Sequence, residues 1–272
     1  ASPAWMVKRE IAAGPFSLTA HERMHQNHAP ATVYIEGDGL AWLSRNEASL
    51  DPTPKNPLAL NLAAMDKSPN VAYLARPCQY SRMVDKTAAC PLKYWTGERF
   101  SPEVLEAMNS ALENMKRQYD ITEFHLVGFS GGGNIAALLA AKRSDVKSLR
   151  TVAGNLDHRT HSEYHNVSYL KDSLNAIDIA GQLADMPQRH FVGGQDHIVP
   201  PSISAKFVQA LGSDRCADIT LVQEADHDIG WAEKWPELLK MPVACKTPKA
   251  EQVEFVPYEA PKKAPREPLE KP

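Results

Sequence analysis

The chain has 272 residues, of which 43% are apolar and 23% charged, and its formal net charge at pH 7 is −3. That length holds one large domain or two small ones around a sizeable core, and the balance is that of an ordinary globular protein. No basic excess points to nucleic acid or an anionic membrane, and the longest apolar run, Ile135 to Ala141, is far below the roughly 20 residues that span a bilayer.

Ala1 opens the chain, and no charged-then-apolar leader precedes the first structured segment. This suits a mature exported protein whose signal has been removed. Phe16, Leu18 and Ala20 alternate with Ser17, Thr19 and His21, a period of two that predicts a half-buried strand. After a turn at Ala29-Pro30 comes a second β-rich run, Ala31 to Ile35, ending in Glu36-Gly37-Asp38-Gly39. A Pro-rich loop then leads to a helix over 58–66 and to Val71–Ala75, a continuous apolar run typical of a buried parallel strand. Ser101-Pro102-Glu103 is a helix start, followed by Val104, Leu105, Met108, Leu112 and Met115 at helical spacing. Further strands are expected at 124–128, 149–153, 190–193 and 219–222. Helices are expected at 134–142, 177–183, 202–211 and from Ala232. The alternation predicts an α/β fold: a mostly parallel twisted sheet with helices on both faces. The main domain is expected over 1–245, and 246–272 reads as a Pro- and charge-rich tail.

The four cysteines, Cys78, Cys90, Cys216 and Cys245, contain no C-x-x-C and fall into two separated couples. Disulfides Cys78–Cys90 and Cys216–Cys245 are expected, and with them a periplasmic or extracellular location. The alternative of four buried free thiols in a cytosolic protein stays open at this level. Asn166-Val167-Ser168 fits a glycosylation acceptor, a triplet too common to decide anything.

Two motifs suggest chemistry. His21-Glu22-Arg23-Met24-His25 has the H-E-x-x-H form of a zinc peptidase, but that form needs both histidines on one helical turn. On a strand they stand about 13 Å apart, too far to share an ion at bonds of about 2 Å. The run is therefore expected to be the exposed face and end of an outer strand, and no metal is expected. Gly128-Phe129-Ser130-Gly131-Gly132 is a G-x-S-x-G with a strand before it and a helix after it. That setting holds a serine hydroxyl out on a sharp turn above the sheet. No lysine follows in the position that a phosphate-cradling loop requires. A nucleophilic serine needs a base, and the base an orienting acid. Asp196 and His227 each follow a later strand, so Ser130, Asp196 and His227 can meet at one sheet edge. Asp157 competes as the acid. Asp226 and Asp228 adjoin His227 too closely in sequence to orient its ring.

This constellation resembles the α/β-hydrolase superfamily over about residues 12–240. The resemblance implies Ser130 as nucleophile, Asp196 as acid and His227 as base. It places one oxyanion-hole donor at Gly131 N–H and the second at Asp38 N–H, with Gly39 next. It also implies a small lid over about 157–185, a segment holding His158, His161, Tyr164, His165 and Tyr169. A metal site from His158, His161 and His165 lacks a supporting carboxylate. His158, Trp42 and Trp95 are candidates for substrate contact. The expected activity is that of a serine hydrolase, a carboxylic esterase by preference, with a peptidase or a silent binding protein as alternatives. It would need no cofactor and would act on a small-molecule or acyl-ester substrate.

Overall fold

The computed structural model describes residues 5–80 and 90–247. The tail expected from Lys246 lies, beyond Thr247, outside the described residues. β1 (Val7–Ala13) and β2 (Phe16–Met24) make an antiparallel hairpin, and β3 (Ala31–Ile35) follows. β4 (Trp42–Ser44) and β5 (Glu47–Ala48) form a separate small hairpin. β6 (Asn70–Leu74), β7 (Phe124–Phe129), β8 (Val146–Val152), β9 (Gln188–Gly193) and β10 (Ala217–Val222) complete one eight-stranded sheet in the order β1-β2-β6-β3-β7-β8-β9-β10. β6, β3, β7, β8, β9 and β10 are mutually parallel, and β2 is antiparallel to β6.

The helices are α1 (Leu58–Met65), α2 (Pro102–Tyr119), α3 (Gly131–Lys142), α4 (His158–His165), α5 (Pro201–Ala210) and the short α6 (Trp235–Leu238). Period-two strands divide the core between two helical layers. Ile35, Phe124 and Leu126 pack with α2, α3 and α5, while Tyr34, Val127 and Phe129 pack with α1 and α6. α2 begins where the Ser101 hydroxyl accepts the Val104 N–H, and it buries Val104, Met108, Leu112 and Met115, as their spacing predicts. α3 is apolar nearly all round and accordingly lies buried along β7 and β8.

Several sequence expectations change. β1 was not foreseen, and it covers β2, which is therefore not an outer strand. His21 is only 8% exposed and Glu22 only 4%. The Glu22 carboxylate accepts from Arg9 Nε and Nη2, at 2.7 Å each, and from the Tyr119 hydroxyl at 2.7 Å. The H-E-x-x-H run lies on the end of a strand, with His25 just beyond Met24, but its glutamate is a buried ion-pair partner rather than part of an exposed face. The segment 176–183 is a 3-10 helix packed through Ala176, Ala180 and Leu183, and the last helix begins at Trp235 rather than Ala232. Cys78 is bonded to Cys90 and Cys216 to Cys245. No helix among the described residues is long and apolar enough to cross a membrane.

Candidate active site

Ser130 sits between the end of β7 and the start of α3 with φ 49° and ψ −121°, a backbone conformation that L residues avoid. Backbone bonds over-determine it. Its N–H donates to Val152 O at 3.0 Å, and its carbonyl accepts from Gly133 and Asn155 N–H, each at 2.9 Å. The turn closes so tightly that side chains are excluded around it. A Cβ on Gly132 would come 2.5 Å from the Glu36 carbonyl oxygen, and one on Gly128 would come 2.6 Å from Gly132 C.

Asp196 follows β9 and is locked by its own loop: Oδ1 accepts the N–H groups of Ile198 and Val199 at 2.8 Å each. Its other oxygen lies 2.9 Å from His227 Nδ1, and His227 Nε2 lies 3.0 Å from Ser130 Oγ. With a carboxylate on Nδ1, that nitrogen carries the proton, and Nε2 is left to accept from the serine hydroxyl. The loop bearing His227 is pinned beneath the ring, where Trp231 Nε1 donates to the carbonyls of Asp226 and His227. The Phe129 ring, 5.2 Å from the imidazole, walls one side. Asp157 is spent elsewhere. It caps α4 through the Arg159 and Thr160 N–H groups and also accepts from the Thr160 hydroxyl and Asn175 Nδ2. Asp226 caps its own turn at Asp228 and Ile229.

Gly131 opens α3, so its N–H has no acceptor within the helix. The loop after β3 reaches over it. A Cβ on Gly131 would lie 2.7 Å from the Asp38 carboxyl carbon, which brings Asp38 and Gly131 together. Gly39, with φ +65°, is turned toward Pro52 and Gln79 instead. Asp38 is paired with Arg76 Nη1 at 3.3 Å and Arg99 Nε at 3.2 Å. Burial alone would raise its pKa, but Arg99 and Arg76 outweigh that and hold the carboxyl below its usual range.

α4 and the β4–β5 hairpin border the site. Arg45 Nη2 donates to His165 O at 2.8 Å, and His165 Nε2 lies 2.7 Å from Ile198 O. His161, on the same helix, has its pKa lowered to about 4, by burial first and then by His165 and Arg99, with Asp38 pulling the other way. Of the proposed substrate contacts, His158 is buried and stacked on Phe100, with ring centres 5.8 Å apart. Trp42 is exposed on β4. Trp95 is buried, donates to Ser49 O at 2.9 Å, and borders a small cavity shared with Asp38, Arg76, Gln79 and Arg99. Sequence reasoning missed Arg76 and Arg99, and it considered His161 only as part of the lid segment or as a metal ligand. Among the described residues, no group of three or more His, Cys, Asp or Glu side chains is placed to hold a metal.

No protein-family model matches the chain, and no curated protein matches its sequence. Solved structures do match in shape. An esterase from Pyrococcus furiosus aligns with TM-score 0.58 at 10% identity, over 86% of this chain and 88% of that one. An alpha-beta serine hydrolase homologue from Coxiella burnetii aligns with TM-score 0.55 at 18% identity, over 85% and 93%. An acylaminoacyl peptidase from Pyrococcus horikoshii aligns with TM-score 0.61 at 11% identity, over 90% of this chain but 42% of that longer one. Shape agreement at identities this low establishes a shared fold alone.

Proposed function

The chain has the α/β-hydrolase fold, and on that fold we propose a serine hydrolase that cleaves a carboxylic ester through an acyl-enzyme. The observation that carries this reading is the unbroken chain Asp196 Oδ2, His227 Nδ1, His227 Nε2, Ser130 Oγ, with links of 2.9 and 3.0 Å. His227 takes the serine proton as Ser130 Oγ attacks the acyl carbonyl, and Asp196 steadies the imidazolium. The tetrahedral oxyanion forms against the N–H groups of Gly131 and Asp38. His227 then protonates the leaving alcohol, and the carbonyl re-forms as the acyl-enzyme. Water, deprotonated by the same imidazole, releases the acid and restores Ser130.

Ester is preferred over amide because no feature of the sequence specifies a peptide-binding subsite. The shape-matched proteins include both an esterase and a peptidase, so the choice is put to kinetics. On parallel panels of short-chain esters and aminoacyl amides, the ester panel is expected to give the higher kcat/KM. Turnover of amides with inert esters would make the protein a peptidase with the same three residues.

A further inference from the structure

Asp38 poses a chemical conflict. Its carboxyl carbon and Oδ2 lie 2.7 and 3.0 Å from where a Gly131 Cβ would be. The carboxylate therefore fills the side-chain space of the residue whose N–H is to receive the oxyanion. A bare negative charge there would oppose the charge that develops in the transition state, and a poorly hydrated site screens such repulsion weakly. Two guanidinium groups meet it, one on each oxygen: Arg76 Nη1 at 3.3 Å from Oδ1 and Arg99 Nε at 3.2 Å from Oδ2. All three side chains are withdrawn from water, with exposures of 21% for Asp38, 5% for Arg76 and 12% for Arg99.

The arginines are themselves fixed. Arg76 Nη2 donates to the Arg99 carbonyl, which ties the two segments together. Both guanidinium carbons lie over the Phe100 ring, at 5.1 and 5.6 Å from its centre. The Arg76 N–H donates to Gln79 Oε1 at 3.0 Å, and Gln79 Nε2 donates to Gly37 O at 2.9 Å, so the network returns to the loop bearing Asp38. Gly37 in turn lies against Ser130: a Cβ on it would be 3.2 Å from the serine Cβ.

We propose that Arg76 and Arg99 are positioning residues of the hydrolytic site. Acting through Asp38, they cancel its charge beside the oxyanion, hold residues 37–39 over Gly131, and leave one excess positive charge where negative charge develops. The inference rests on the serine-hydrolase reading, and its test separates the two.

The rate at which a neutral alkyl fluorophosphonate modifies Ser130, followed by intact mass, is measured for wild type, Arg99→Gln, Arg99→Lys and the double variant Asp38→Asn/Arg99→Gln. Melting curves establish that each variant is folded. Arg99→Gln is expected to react about 10- to 100-fold more slowly, somewhat below the loss of a full oxyanion donor, and its ester turnover should lose kcat with KM little changed. Arg99→Lys should recover most of the rate. Adding Asp38→Asn to Arg99→Gln should speed it about tenfold, because the net charge of the cluster returns from zero to the single positive charge of wild type; a purely structural arginine would show no such rescue. Arg99→Gln at the wild-type rate, or a double variant no faster than Arg99→Gln, overturns the proposal and leaves the hydrolase reading intact. If Arg99→Gln does not fold, the charge-balanced double variant decides: within about tenfold of wild type supports the proposal, and any larger loss overturns it. A wild type that does not react removes the hydrolase reading and this inference with it.

Discussion

Glu36 follows β3 and begins the loop bearing Asp38, and its carboxyl is buried, with Oε1 accepting the Gly37 N–H at 2.9 Å. Burial raises its pKa from 4.5 to about 7, against smaller opposing effects from the Gly37 N–H, the Tyr73 hydroxyl and the backbone of Ala59 and Leu60. A carboxyl raised in the folded state binds more protons there than in the unfolded chain between these two values. Its contribution to stability is therefore fully present below about pH 4.5 and is lost as pH rises through about 7. Glu36→Gln keeps an acceptor for Gly37 without the charge. Denaturant unfolding of the two proteins at pH 5 and pH 8 should show the variant gaining on wild type as pH rises, by an amount on the order of 3 kcal/mol. A gap unchanged between the two pH values would mean that Glu36 ionises in the fold at no cost. The same close packing explains why residue types at the elbow were legible from sequence while Asp38's environment was not. Small residues around Ser130 are a local pattern, whereas Arg76, 38 positions away from Asp38, and Arg99 meet it only through loop geometry.

At the scale of elements, α2 shows local sequence deciding local structure. Ser101 accepts the Val104 N–H at 3.3 Å, Pro102 fills the first helical position, and Asp120 in the left-handed region ends the helix. Ser101→Ala should cost about 1 kcal/mol of global stability by removing one satisfied donor at the helix start. A thermal melt indistinguishable from wild type would show that the cap is redundant. Strands buried on both faces were readable, β6 from its continuous apolar run and β3 from its β-rich composition. β1 was not, because Lys8, Arg9 and Glu10 interrupt any alternation. Charge on an edge strand guards against pairing with other chains and at the same time hides the strand from a reading based on hydrophobic period. α4 was also invisible as a helix. Its histidines and tyrosine give no apolar face, and its start depends on Asp157 as cap.

For the whole molecule, the parallel topology gathers the chemistry. β7, β9 and β10 run in the same direction, so the loops after their carboxyl ends bring Ser130, Asp196 and His227 to one edge of the sheet. That is why three residues far apart in sequence could be grouped before any geometry was known. The contact between the β4–β5 hairpin and α4 could not be, because it joins separate elements through Arg45 and His165. The two disulfides join Cys78, two residues after Arg76, to Cys90, and Cys216, just before β10, to Cys245; such bonds are compatible with export. The central claim is that the three residues at the sheet edge form a working nucleophilic site, and one measurement tests it most directly. Intact-mass and peptide-mass analysis after exposure to a fluorophosphonate should show a single adduct, located on Ser130, in the wild type and none in a folded Ser130→Ala variant. A folded wild type that stays unmodified, or an adduct that persists in Ser130→Ala, would contradict the account.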